Sequence, residues 1–101
     1  MILRQWRARA TAEGAEQYRQ HFAGSVYPEL VRIDGFKSAQ LFARNSGADV
    51  ELTVETRWDS MDAIRSFAGA DAERAVVEPR VAEIVKDFDR HVSHHNCLFE
   101  G

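Results

Sequence analysis

Arg4 and His94 are the two side chains best placed to hold or move charge in the interior. Arg4 falls between Ile2 and Trp6 in the alternating run Ile2 to Arg9, on the side expected to face helices. A guanidinium so placed needs a partner. It either pairs with an acidic side chain or a carbonyl-rich helix end, or it lines a pocket between sheet and helices and steadies an anionic ligand oxygen. His94 shares a strand face with Val92, Asn96 and Leu98, taken as the inner one, and in an antiparallel sheet it comes beside the first strand near Arg4. A neutral imidazole there can take a proton near pH 7, as a general base must, or can be a half-buried group satisfied by hydrogen bonds. Trp6, Trp58, Phe67, Tyr18, Phe22 and Tyr27 supply rings for the same region, as core or as a flat slot for an aromatic ligand.

Other chemistries find little support. His91, His94, His95 and Cys97 look like metal ligands in a row, but in a strand His94 and His95 point to opposite faces. His91 and His95 share a face but stand about 13 Å apart at strand spacing, too far to share an ion. No metal and no cofactor is expected. The chain has no glycine-rich phosphate loop, no nucleophile elbow and no nicotinamide or flavin fingerprint. Cys97 has no activating neighbour in the sequence and reads as a packing residue.

The elements that must position these groups follow from periodicity. Thr11 is a candidate N-cap for a helix with Ala15, Tyr18, Phe22 and Val26 inward, which Pro28 should kink or restart before it stops near Asp34-Gly35. Strands Phe36 to Arg44 and Val50 to Trp58 flank a hairpin turn at 45–49. Asp59 or Ser60 caps a helix with Met61, Ile64, Phe67 and Ala68 inward, and Gly69 ends it. A helical turn is expected from Asp71 to Val76, a helix restarting at Pro79, and a last strand from Phe88 to about Phe99. The order β-α-β-β-α-β is that of a ferredoxin-like α+β sandwich in one domain, residues 1–101.

With 101 residues the core is small, and no apolar run approaches the roughly 18 residues of a membrane span. The early charge at Arg4 does not suit a secretory signal, and the lone Cys97 cannot form an internal disulfide, so a cytoplasmic protein is expected. A net charge of −3 with dispersed Lys and Arg argues against nucleic acid as a partner. Leu3, Thr53, Cys97 and Phe99 should fall on the open sheet face, a patch that a homodimer packed sheet on sheet would cover.

The run from Thr56 through Trp58, Asp59, Ser60 and Met61 to Val77, with Arg4-Gln5-Trp6-Arg7 upstream and Phe88-Asp89-Arg90-His91 to His95 downstream, resembles the antibiotic biosynthesis monooxygenase family. The resemblance covers nearly the whole chain. It implies a dimeric α+β barrel with a pocket between sheet and helices. It also implies oxidation of a phenolic or quinol-type molecule by oxygen without a cofactor. In that setting His94 becomes the base, Arg4 the anion stabiliser, and Trp6, Phe22, Trp58 and Phe67 the substrate slot. The heme-degrading branch fits less well, because its ligating histidine falls where this chain reads Ala75-Val76-Val77. A ligand-binding or stress-response dimer without turnover, and a small isomerase or decarboxylase, are the alternatives.

Overall fold

The computed structural model describes all 101 residues. Strand β1, Ile2–Ala10, pairs antiparallel along its whole length with β3, Asp49–Trp58, and β3 pairs in turn with β2, Phe36–Ser46. Two short strands, β4 (Asp87–Phe88) and β5 (Ser93–Asn96), share the other edge of β1. Helices α1 (Ala12–His21), α2 (Tyr27–Leu30), α3 (Met61–Ala68) and α4 (Pro79–Ile84) complete the chain. This is the ferredoxin-like α+β order expected from the hydrophobic periods.

Register decides which side chains meet. Ile2, Arg4, Trp6 and Ala8 of β1 stand opposite Trp58, Thr56, Val54 and Leu52 of β3, and these pairs face the helices. Trp58 is 0% exposed, and Leu52, Ile64 and Leu30 are buried with it. Capping closes the helices over them: the Thr11 hydroxyl accepts from the Gly14 N–H at 3.0 Å and the Ser60 hydroxyl from the Ala63 N–H at 3.1 Å, each worth about 1 kcal/mol. Gly14 permits a close crossing, since a Cβ there would come within 2.4 Å of the Ile84 carbonyl oxygen. The hairpin turn is tighter than expected. Asn45 and Ser46 join the ladder opposite Val50 and Asp49, leaving Gly47, at φ +62°, and Ala48 as the turn.

The first helical stretch breaks before Pro28. After His21 the chain widens into a π-helical turn, Phe22–Val26, in which the Tyr27 N–H reaches back to the Phe22 carbonyl, and α2 begins at Tyr27. Pro28 has no N–H for the Gly24 carbonyl, and Gly24 and Ser25 are weak helix formers, so the α ladder is already compromised there.

Two expected elements are different in the structure. Asp71 to Val76 is not helical. Ala72 and Glu73 make a turn, Arg74 bridges to His91, and 75–78 runs extended into Pro79, whose ring disfavours a helical residue before it. The last strand is also split. Beyond Asp89, whose N–H still bonds the Arg7 carbonyl at 2.9 Å, the chain leaves β1 and bonds instead to the 73–75 segment, with Ala75 N–H to the Arg90 carbonyl and Val92 N–H to the Glu73 carbonyl, both 2.8 Å.

The strand stops at Asn96, opposite Ile2, with one further bond from Cys97 N–H to the Met1 carbonyl. Leu98, expected on the inner face, is therefore 94% exposed, and Phe99 is 89% exposed beyond the sheet edge. The outer face keeps Leu3, Phe42 and Thr53, interleaved with a Gln5–Glu55 hydrogen bond of 3.0 Å and an Arg57–Glu55 ion pair of 3.2 Å.

Candidate functional site

The centre of β1 and the irregular fourth lane together make the candidate site. Arg4 is 5% exposed and has no carboxylate partner. Its Nη1 donates to the Ala72 carbonyl and its Nη2 to the Arg74 carbonyl at 3.0 Å, while Nη1 also lies 3.0 Å from His94 Nε2. The turn that replaces the expected helix at Asp71–Val76 is thus what points two carbonyls at this guanidinium. Burial pulls the Arg4 pKa down to about 10, so the charge is held at neutral pH without an opposing one. The guanidinium carbon also sits 5.8 Å from the centre of the Phe67 ring, within cation–π range.

The Arg4–His94 contact fixes a tautomer. Arginine can only donate, so His94 Nε2 carries the lone pair and Nδ1 the proton. Burial first, and the neighbouring Arg4 charge second, lower the His94 pKa and keep the ring neutral. The register puts His94 directly across from Arg4 on β5, just as Thr56 is across on β3.

A hollow of about 60 Å³ opens beside Arg4. Its walls include Trp6, Tyr18, Phe22, Thr56 and Phe67. Three of the four aromatic residues expected to form a slot, Trp6, Phe22 and Phe67, therefore stand together with Arg4. Trp58 does not line the hollow. It lies one layer behind, stacked on Phe67 at 5.8 Å, with its indole N–H given to the Thr56 hydroxyl at 2.8 Å. His94 does not line it either and meets the space only through Arg4. Trp6 is held by its own indole N–H, which donates to the Asp89 carbonyl at 2.7 Å across the gap where the fourth lane leaves β1.

Tyr18, one of the rings expected in this region, also lines the hollow, and so does Val76, which the sequence reading did not place there. Tyr18 was legible as an inward helix position. Val76 reaches the hollow only because its segment is extended rather than helical. His91 and His95 lie apart from the site: His91 bridges Arg74, and His95 Nε2 lies 2.9 Å from the Ser93 hydroxyl on the other side of β5. No three histidine, cysteine or carboxylate side chains converge as metal ligands would. No helix is long and apolar enough to cross a membrane.

No family sequence model matches the chain, and no curated relative matches it in sequence. Solved structures do match in shape. A provisionally named antibiotic biosynthesis monooxygenase from Deinococcus radiodurans superposes with a TM-score of 0.65 at 16% identity, over 99% of this chain and 95% of that one. A single-substitution variant of MhuD, solved with two manganese protoporphyrin IX molecules per active site, gives 0.70 at 16% identity, over 100% and 98%. A Streptomyces coelicolor monooxygenase, from the gene ActVA-Orf6 and in complex with nanaomycin D, gives 0.59 at 17% identity, over 99% and 92%. The chain has the fold of the antibiotic biosynthesis monooxygenases.

Proposed function

We propose that the protein is a cofactor-independent monooxygenase of a small phenol or quinol, bound in the hollow beside Arg4. The observation that carries this reading is a buried guanidinium with no carboxylate partner, at the wall of an aromatic hollow and in contact with a neutral imidazole. A buried cation without a counter-ion favours an anionic oxygen, and a phenolate supplies one. In the resting protein His94 Nε2 accepts from Arg4. A phenol arriving at Arg4 gives its hydroxyl proton to Nη1 as Nη1 passes one to His94 Nε2, so the base acts through the guanidinium that separates it from the hollow. The product is a phenolate held by Arg4 beside an imidazolium.

The electron-rich phenolate then passes an electron to molecular oxygen, and the radical pair recombines at ring carbon. Collapse of the resulting peroxide yields a quinone and one water, so that one phenol and one O₂ are consumed together. Trp6, Phe22 and Phe67 hold the ring and keep water out, and Trp58 stiffens Phe67 from behind. A porphyrin is the less favoured ligand, because Ala75-Val76-Val77 offers iron no ligand.

The test is oxygen uptake across a panel of phenols and hydroquinones. Turnover by the wild type, lost in His94→Ala and in Arg4→Met, supports the proposal. Turnover unchanged in His94→Ala removes the base, and binding without uptake by any member of the panel leaves the non-catalytic ligand-binding reading in its place. The same proposal includes a homodimer through the outer sheet face, where Leu3 and Phe42 lie. Analytical ultracentrifugation finding only monomer at micromolar concentration would count against it.

A further inference from the structure

The hollow beside Arg4 has a neighbour. A second hollow, also about 60 Å³, shares with it the walls Trp6, Tyr18, Val26, Phe67 and Val76. Its far side is polar, with His21 from the end of α1 and Glu78 from the residue before α4. His21 is unlike every other polar group in the interior. Its side chain is only 4% exposed, yet Nε2 has no hydrogen-bond partner, and the nearest carboxylate oxygen, on Glu78, is 3.8 Å away. A buried polar atom left unpaired is destabilising, so such atoms are rare unless something else comes to satisfy them.

We propose that His21 Nε2 is the second polar contact of the ligand, so that the two hollows form one binding site for a ring bearing oxygen-type polar groups at opposite ends. This rests on the reading of Arg4 as the seat of the phenolic oxygen. Three further observations support it. Five wall residues are common to the two hollows, so a ring seated beside Arg4 also borders the space in front of His21. The wall they share includes Val26, the last residue of the π-helical turn that follows His21, and such widened turns recur at functional sites. The Tyr18 hydroxyl, on the same wall, is pushed up by burial first and by the Glu78 charge second, and stays a donor at neutral pH. The far end therefore offers an imidazole nitrogen and a phenolic donor to a ligand hydroxyl or carbonyl.

The experiment compares 4-methylphenol with hydroquinone under argon, a pair that differs by methyl against hydroxyl at one end. Affinities are read by NMR titration of the wild type, His21→Phe and Arg4→Met. In His21→Phe the preference for hydroquinone over 4-methylphenol should fall about tenfold, while the 4-methylphenol affinity stays within about twofold, because one hydrogen bond is worth about that factor. Arg4→Met should weaken both probes. In the wild type, long-range ¹H–¹⁵N spectra should show His21 Nε2 moving with hydroquinone and not with 4-methylphenol, which holds even if His21→Phe fails to fold. An unchanged preference in His21→Phe, or an Nε2 resonance indifferent to hydroquinone, overturns the inference while leaving Arg4 as the seat. If neither probe binds the wild type, or Arg4→Met does not weaken them, the reading of Arg4 falls and this one with it.

Discussion

Trp58 and Trp6 stand on the same inner sheet face, yet they do different work. Trp58, at the end of β3, is wholly enclosed, with Phe67 and Phe36 against it, and its N–H is satisfied two residues away within its own strand. Trp6, at the middle of β1, is half-buried, borders both hollows, and reaches across to a loop carbonyl for its hydrogen bond. The end of the face around Trp58 is a closed core, whereas its middle, where Arg4 and Trp6 of β1 lie beside Thr56 and Val54 of β3, is left unfinished where the fourth lane departs. One sheet thus serves as foundation at one end and as binding wall at its centre.

The contrast can be broken most severely at Trp58. Trp58→Ala should lower stability by about 3–5 kcal/mol, the cost of emptying a large filled site, read by denaturant unfolding. Trp6→Phe is the matching substitution on the other side. It should cost under about 1.5 kcal/mol of stability but lower ligand affinity measurably, and the reverse ranking of the two tryptophans would show that the hollow is ordinary core.

Arg4→Met lies between these in stability. It removes the desolvated charge but leaves the Ala72 and Arg74 carbonyls without their donor, so a net loss of about 1–3 kcal/mol is expected, with the 71–78 segment losing protection in hydrogen exchange. A loss confined to the β1–β3 ladder instead would place the role of Arg4 in the sheet.

The smallest effect belongs to His94. Its pKa is held below the unfolded value, so the folded protein resists a proton that the unfolded chain accepts. The stability from this group is full above about pH 6.5, the ordinary histidine value, and is lost as pH falls through the lowered folded pKa. His94→Gln keeps an acceptor for Arg4 without the titration and should flatten the unfolding free energy across that window. An identical pH slope in both proteins would show that neither burial nor the Arg4 charge lowers the pKa of the ring.

The sequence made the closed side easy to read. Alternation in Val50, Leu52, Val54, Thr56 and Trp58 set the inner face of β3, and the same parity in β1 put Arg4 and Trp6 beside it. The Arg4–His94 meeting was legible too, because antiparallel order and parity alone bring them opposite each other. What the sequence hid lies in the fourth lane and the loop before α4. Ala72 to Val76 has the composition of a helix, and only the pull of the Arg4 guanidinium on two carbonyls and of the 90–92 segment on neighbouring backbone makes it extended. These are contacts between residues 68 and 70 positions apart, which no local period reveals. His21 went unread for another reason. A histidine at the end of an amphipathic helix reads as a favourable C-terminal charge, and only the wide turn after it buries the ring without a partner.

The wide turn at Phe22–Val26 carries one residue more per hydrogen-bonded ring than the helix before it. The underwound turn absorbs that surplus residue, so Tyr27 to Leu30 keep nearly the phase a regular helix would give them and Leu30 stays inward. Excising Gly24, whose position leaves open space around it, would restore regular pitch without turning Leu30 outward. What the deletion removes is the local widening after His21, so the bulge shapes the wall there without redirecting the chain beyond it.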